Sequence, residues 1–188
     1  MPLGLLKKLP DQEYLLRRLS YDPETGYLRW KPRPPEDFGG DLVVWNWWTK
    51  RFCGKVAGPT GNPILGGART VRIDNVHYYA HRIVWKMLHG EDPPEDIDHR
   101  DRNRSLNLPS QIRLATRQQN TWNRKVRADS QCGLKGVTYK KRKRRFEANI
   151  MVDGKRRYLG MFLTAEEAHK AYCMAAQEAY GEFWSNGR

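Results

Sequence analysis

The chain has 188 residues, 39% hydrophobic and 29% charged, with a formal net charge of +13. That length fits one domain or two small ones, and the excess of cations points to a polyanionic partner, with nucleic acid as the default. No apolar run approaches the ~20 residues of a membrane span. No basic amphipathic helix dominates the chain either, which disfavours an anionic membrane surface as the partner. Cys53, Cys132 and Cys173 are scattered and without paired spacing. This argues against a zinc ribbon and a disulfide framework and fits a reducing cytoplasm. The opening MPLGLLKKLP holds too short an apolar stretch for a secretory signal.

In chain order, the spacing predicts a short helix over Asp11 to Ser20, with Leu15, Leu16 and Leu19 as its buried stripe. Asp22-Pro23-Glu24-Thr25-Gly26 predicts a turn, and Tyr27-Leu28-Arg29-Trp30 a strand after it. Residues 32–41, rich in Pro and Gly, read as a loop. Trp45, Trp47 and Trp48 then crowd together, either as core packing for a small domain or as surface aromatics that stack on a base or sugar. Val71-Arg72-Ile73 and Val76-His77-Tyr78 flank Asp74-Asn75, a tight-hairpin signal. His81 to His89 follows as a helix, with Ile83, Val84, Met87 and Leu88 at helical spacing and Gly90 as its stop. Of His77, His81 and His89, only His81 is a candidate for positioning a neighbouring loop.

The stretch from Ile97 to Arg124, IDHRDRNRSLNLPSQIRLATRQQNTWNR, carries the chemistry. An Asp98-His99 pair follows an apolar Ile97 and leads into a polar, Arg-rich loop. The loop ends in a short apolar return, Ile112-Arg113-Leu114-Ala115. Thr116 then starts a helix with Gln119 at the capping-box position, and Thr116, Asn120, Asn123 and Arg124 share one helical face. Strand, loop, strand and helix would point Asp98, His99 and Asn120 at a common spot. The Asp98 carboxylate and the Asn120 amide oxygen are hard ligands suited to Mg²⁺ or Mn²⁺ rather than Zn²⁺. His99 suits a general base near neutral pH. A metal, a base and surrounding arginines are what phosphodiester hydrolysis needs.

Beyond a polar linker at Val126 to Gln131 the pattern changes. Strands are predicted over Leu134 to Tyr139, Phe146 to Val152 and Lys155 to Phe162. The basic run Lys140-Lys141-Arg142-Lys143-Arg144-Arg145 lies between the first two, and a turn at Asp153-Gly154 separates the last two. Thr164 caps a final helix with Glu167 at the capping-box position. Ala165, Ala168, Ala171, Tyr172, Ala175 and Ala176 give that helix a small-residue face. Three strands and one close-packed helix make a compact module.

Two resemblances emerge from these residues. The segment AHRIVWKMLHGEDPPEDIDH and the closing RLATRQQNTWNRK resemble the ββα-metal core of HNH endonucleases of the phage and intron-encoded homing kind. YDPETGYLRW extends that likeness toward the N-terminus. By position the resemblance implies Asp98 as first metal ligand, His99 as general base and Asn120 as second metal ligand, with one Mg²⁺ or Mn²⁺ per active site. The central family Asn, which helps fix the base, is replaced by Gln111. An Asn107-Leu108 pair nearby lies too close to His99 to fill that slot in register.

The second block, GLKGVTY, RRFEANI, RRYLGMF and TAEEAHKAYCMAAQEAYGEF, resembles the APETALA2-type DNA-binding domain. Its implied reading residues are Lys140, Arg145, Arg156 and Tyr158. Arg142, Lys143, Arg144 and Arg157 complete the expected DNA-binding set.

The expected architecture is α+β. An HNH nuclease domain over 1–125, with its core at 80–125, precedes a linker at 126–132. A three-stranded antiparallel sheet plus helix over 133–188 then binds duplex DNA. The implied activity is a DNA endonuclease of homing type in the cytoplasm of a bacterial or phage-infected cell, acting as monomer or homodimer. The competing class is a non-catalytic DNA-binding regulator with a degenerate HNH block, which Gln111 favours and the intact Asp98, His99 and Asn120 disfavour. An RNA-binding protein fits the charge but not a major-groove sheet.

Overall fold

The computed structural model describes residues 7–58 and 66–187; residues 1–6 of the stretch weighed as a signal lie outside them. The chain divides into two compact units, Met1–Leu114 and Ala115–Arg188.

Short elements build the first unit. Helix α1 (Gln12–Arg18) runs into strand β1 (Leu19–Asp22), which pairs antiparallel with β2 (Tyr27–Trp30). Asp22 builds the turn between the strands, its carboxylate accepting from the Glu24 and Thr25 N–H groups and the Thr25 hydroxyl. Leu15 and Leu19 are fully buried as predicted, whereas Leu16 is 42% exposed. So short a helix offers the core one narrow stripe, and Leu16 lies about 100° round the axis from Leu15.

The Trp-rich stretch is a helix, α2 (Leu42–Phe52), where none was predicted. Asp41 caps it, its side chain accepting from Val43 and Val44 N–H at 2.8 and 3.0 Å. Its tryptophans differ in burial. Trp48 packs among Trp30, Phe38 and Phe52, and Trp45 donates its indole N–H to the Arg33 carbonyl at 2.7 Å. Trp47 is 57% exposed.

Strands β3 (Thr70–Ile73) and β4 (Val76–Tyr79) form the predicted hairpin. Its turn residues Asp74 and Asn75 have φ of +46° and +64°, as a two-residue turn of type I′ requires. Helix α3 (Ala80–His89) follows and ends at Gly90. It buries Ile83, Val84 and Met87 but turns Leu88 outward. Strands β5 (Asp96–His99) and β6 (Ile112–Ala115) then pair as a two-stranded sheet. Ile97 and Ile112 join Leu15, Leu19, Leu28, Val71, Ile83 and Val84 in one apolar core. Each such side chain stabilises by about 1.5–3 kcal/mol on burial. The strand carrying Asp98 and His99 is thus anchored by α1, both hairpins and α3.

In the second unit, α4 (Arg117–Trp122) opens on the predicted capping box of Thr116 and Gln119. Strands β7 (Val137–Lys140), β8 (Arg145–Val152) and β9 (Lys155–Phe162) form an antiparallel sheet in that order. Helix α5 (Ala165–Tyr180), with its own capping box at Thr164 and Glu167, covers one face. Ala168 and Ala176 let it approach closely enough to bury Ala148 and Ile150 of β8.

The predicted linker at 126–132 and the division between Leu114 and Ala115 differ for a physical reason. Trp122 stacks on Tyr180 with ring centroids 4.2 Å apart, and the Lys135 ammonium donates to the Trp122 and Arg124 carbonyls. These contacts tie α4 to the sheet-and-helix module. No helix among the described residues is long and apolar enough to cross a membrane.

Gly136 is the tightest point of this unit. It has φ +77°, and a Cβ there would lie 2.1 Å from the Tyr172 ring. Gly136→Ala is expected to destabilise the chain by about 2 kcal/mol or more through overpacking and backbone strain. Urea unfolding checks this, and an unchanged midpoint would rule out the close contact.

Candidate functional site

Side chains alternate along a strand, so Asp98 and His99 leave β5 in different directions, yet both are only 4% exposed. Asp98 meets Arg113 of β6, whose Nε and one terminal nitrogen donate to Oδ2 at 3.0 and 2.9 Å. Arg113 is itself buried, and a carboxylate in such a place needs a paired cation to offset its desolvation. His99 turns to Asn107, with Nε2 3.0 Å from Oδ1. Because an amide oxygen only accepts, the ring proton sits on Nε2 and the lone pair on Nδ1. Burial lowers the His99 pKa below the usual imidazole value; Arg104 pushes the same way and the Asn107 bond opposes. The ring is therefore neutral at pH 7, as a base must be.

His81 lies edge-on to His99 with ring centroids 5.3 Å apart, and stacks on Tyr79 at 5.1 Å. Its Nδ1 is buried without a hydrogen-bond partner among the described residues. Burial first, then the neighbouring His99, Arg104 and Arg82, hold its pKa well below normal.

Gln111 stands at the far end of the loop. Its carbonyl accepts from the Arg100 N–H at 2.8 Å, one residue past His99. The Gln111 side-chain oxygen is buried and has no hydrogen-bond partner among the described residues. The contact to the His99 ring comes instead from Asn107, which sequence spacing had set aside as too close. The loop doubles back at once: Arg102 has φ +63° and returns its N–H to the His99 carbonyl at 2.9 Å. Asn103 then closes an Asx turn onto Ser105. No sequence signal marks this return beyond the Asp and Asn residues that favour such turns.

Asn120 is half-buried on α4 in the second unit, with its N–H donating to the Thr116 carbonyl at 3.0 Å. Among the described residues no three His, Cys, Asp or Glu side chains gather as a metal cage. Asp98 in the first unit offers a carboxylate and Asn120 in the second an amide, both oxygen donors. That set fits a small hard cation that keeps most of its water and takes the rest of its shell from phosphate.

The DNA-binding candidates lie in the second unit, all but Arg157 on the open face of the sheet or at its hairpin tip. Residues paired across strands share a face. The register therefore sets Lys140, Arg145, Arg156 and Tyr158 together with Glu147 and Asn149, opposite α5. Glu147 sits at the centre. Its Oε1 accepts from Asn149 at 2.8 Å and Arg156 at 2.9 Å, and lies 3.3 Å from Lys140 Nζ. The Asn149 hydrogen bond, with both cations, holds its pKa below the usual carboxylate range. Arg142, Lys143 and Arg144 are exposed on the tip, a 3₁₀ turn closed by Arg144 at φ +50°. Arg157 pairs with buried Ile150 and so belongs to the other face, exposed at the sheet edge. Sequence reasoning missed Glu147, although its position between two cationic strands was legible from the pairing.

Residues 78–121 match the family model for HNH endonuclease. The chain carries an HNH endonuclease domain. It is 32% identical over 105 residues to an uncharacterised HNH endonuclease of Acanthamoeba polyphaga mimivirus, covering 55% of this chain and 54% of that protein. It is also 32% identical over 76 residues to Protein 3.8 of Escherichia phage T7, covering 40% of this chain and 63% of that protein. The chain thus spans about half to two thirds of the length of these relatives. No solved structure matches it. The HNH match takes in Asp98, His99, Asn107, Gln111 and Asn120 alike.

Neutral buried histidines in the HNH domain have a stability signature. The folded pKa of His81 and His99 lies below the unfolded value near 6.5, so the unfolded chain binds more protons. Stability is therefore lost as pH falls through ~6.5 toward the folded values. The urea midpoint should drop between about pH 7.5 and about pH 5.5, and His81→Phe should flatten that drop. A midpoint equally pH-dependent in His81→Phe would show that His81 does not contribute.

Proposed function

We propose that the chain is a metal-dependent DNA endonuclease of the homing or free-standing phage type, with a C-terminal grip on duplex DNA. The observation that carries this reading is the buried Asp98-His99 pair inside the HNH match, with His99 held neutral and its lone pair on Nδ1. In the proposed mechanism His99 accepts a proton at Nδ1 from the water that attacks phosphorus. The products are 5′-phosphate and 3′-hydroxyl ends. Asp98, oriented by Arg113, and Asn120 on α4 are the proposed ligands of Mg²⁺ or Mn²⁺. The chemistry such an ion supplies is stabilisation of charge on the phosphate and the leaving oxygen. Gln111 holds the return of the loop through its main-chain bond to Arg100. One active site cuts one strand, so a monomer nicks and a double-strand break takes a homodimer or a second event.

Duplex binding is assigned to the open face of β7, β8 and β9, as an APETALA2-type module. Lys140, Arg145, Arg156 and Tyr158 face the groove, while Arg142, Lys143 and Arg144 at the tip, with Arg157 at the edge, meet phosphates. A net charge of +13 supports a polyanionic partner.

A supercoiled-plasmid assay with Mg²⁺, Mn²⁺ and EDTA tests the catalytic half. Cleavage should stop in EDTA and in Asp98→Ala or Asn120→Ala. In His99→Ala it should fall roughly 10²- to 10⁴-fold at nearly unchanged DNA affinity. An active His99→Ala protein would remove His99 from the mechanism, and cleavage in EDTA would remove the metal.

Binding titrations on matched and scrambled duplexes at several salt concentrations test the grip. Arg156→Ala should relax sequence preference at a cost of roughly 1–3 kcal/mol on the preferred site. Lys141→Ala should weaken all sequences alike and flatten the salt dependence by about one phosphate contact. Identical effects from the two variants would contradict the division into base and phosphate contacts.

A further inference from the structure

We propose that Asn107 is the positioning residue that sets the His99 ring, and that the β1–β2 hairpin holds Asn107 in place to do so. The proposal rests on the reading of His99 as the base. Asn107 is only 1% exposed, among the most completely buried side chains of the first unit. A buried amide is tolerated where its polar atoms are used, and here its Oδ1 meets His99 Nε2 at 3.0 Å.

Its backbone is gripped from far away in sequence. The Tyr21 hydroxyl donates to the Asn107 carbonyl at 2.7 Å, across 86 positions. At the hairpin turn, Gly26 has φ +70° and approaches so closely that a Cβ would lie 2.9 Å from the Asn107 and Leu108 nitrogens. Arg69, with its guanidinium 4.6 Å over the Tyr27 ring, donates Nε–H to the Ser105 carbonyl at 2.8 Å. Hairpin and Arg69 together fix the main chain from Ser105 to Leu108, so the Asn107 side chain is presented to the ring in one orientation.

The hydrogen bond has a chemical consequence. An acceptor at Nε2 selects the tautomer whose lone pair is on Nδ1 and opposes rotation of the ring about Cβ–Cγ. Without it, the preference for a proton on Nε2 that this acceptor imposes is lost. Gln111 supplies no such contact, because its amide oxygen is without a partner among the described residues.

The test uses the full chain with four substitutions. Asn107→Asp keeps an oxygen at the same place, Asn107→Leu keeps the shape and removes it, Gly26→Ala disturbs only the support, and Gln111→Ala is the comparison. Ring-nitrogen NMR of His99 in the metal-free protein reads the tautomer, while single-turnover cleavage and DNA dissociation constants are measured separately. Asn107→Leu should lose the Nε2–H preference and cleave about 10- to 100-fold more slowly at unchanged affinity. Asn107→Asp should keep the tautomer, Gly26→Ala should weaken it in the direction of Asn107→Leu, and Gln111→Ala should leave it as in the wild type. If Asn107→Leu fails to fold, the Asp and Gly26 variants carry the comparison.

A wild-type tautomer in Asn107→Leu or in Gly26→Ala overturns the corresponding part of the proposal. So does a mixed tautomer cleaving at the wild-type rate. Undiminished cleavage by His99→Ala would instead overturn the reading of His99 as base, while the tautomer result would still decide how the ring is held.

Discussion

A carboxylate removed from water must be met by a cation, and in this chain that requirement joins the two strands of the HNH domain. Asp98 on β5 and Arg113 on β6 are both buried and bound through two nitrogen donors. Removing one partner of such a pair costs roughly 3–5 kcal/mol, because the other is left with an uncompensated charge. The pair therefore pins both ends of the loop that runs between the strands. His99 begins that loop, and everything that shapes the loop interior acts on a ring whose backbone is already fixed.

Electrostatics in the second unit follow a different rule. Its open sheet face is cationic but not uniformly so. Glu147 draws Lys140 and Arg156 toward one oxygen from strands on either side. A carboxylate there repels phosphate from the middle of the face while holding two cations at a set spacing.

Features set by neighbours in sequence were legible without coordinates. The Asp74-Asn75 turn, the capping boxes at Thr116 and Thr164 and the Gly90 stop all depend on residues a few positions apart. Asp98 and His99 stood out by residue chemistry, and the structure buries both on β5. Leu16 and Leu88 were assigned inward because helical spacing alone cannot say how wide a buried stripe the neighbours provide. Helix α2 was missed because a run of Val and Trp has weak helix propensity, and its cap, Asp41, is the last residue of a stretch that read as loop. Asn107 was missed for a deeper reason. Its position against His99 depends on Tyr21 and Gly26, more than 80 residues earlier in the chain by the 86-residue separation of the Tyr21 bond. No spacing rule within the 97–124 block contains that information.

The dispersed core bears on what counts as the catalytic domain. The family match begins at residue 78, yet Ile83, Val84, Ile97 and Ile112 within it are buried against Leu15, Leu19, Leu28 and Val71, which precede it. The matched stretch is thus only part of the unit that buries its apolar side chains. Excised, it would leave that apolar face uncovered. A boundary drawn at the edge of the match separates these core partners, whereas one drawn upstream of α1 keeps them together.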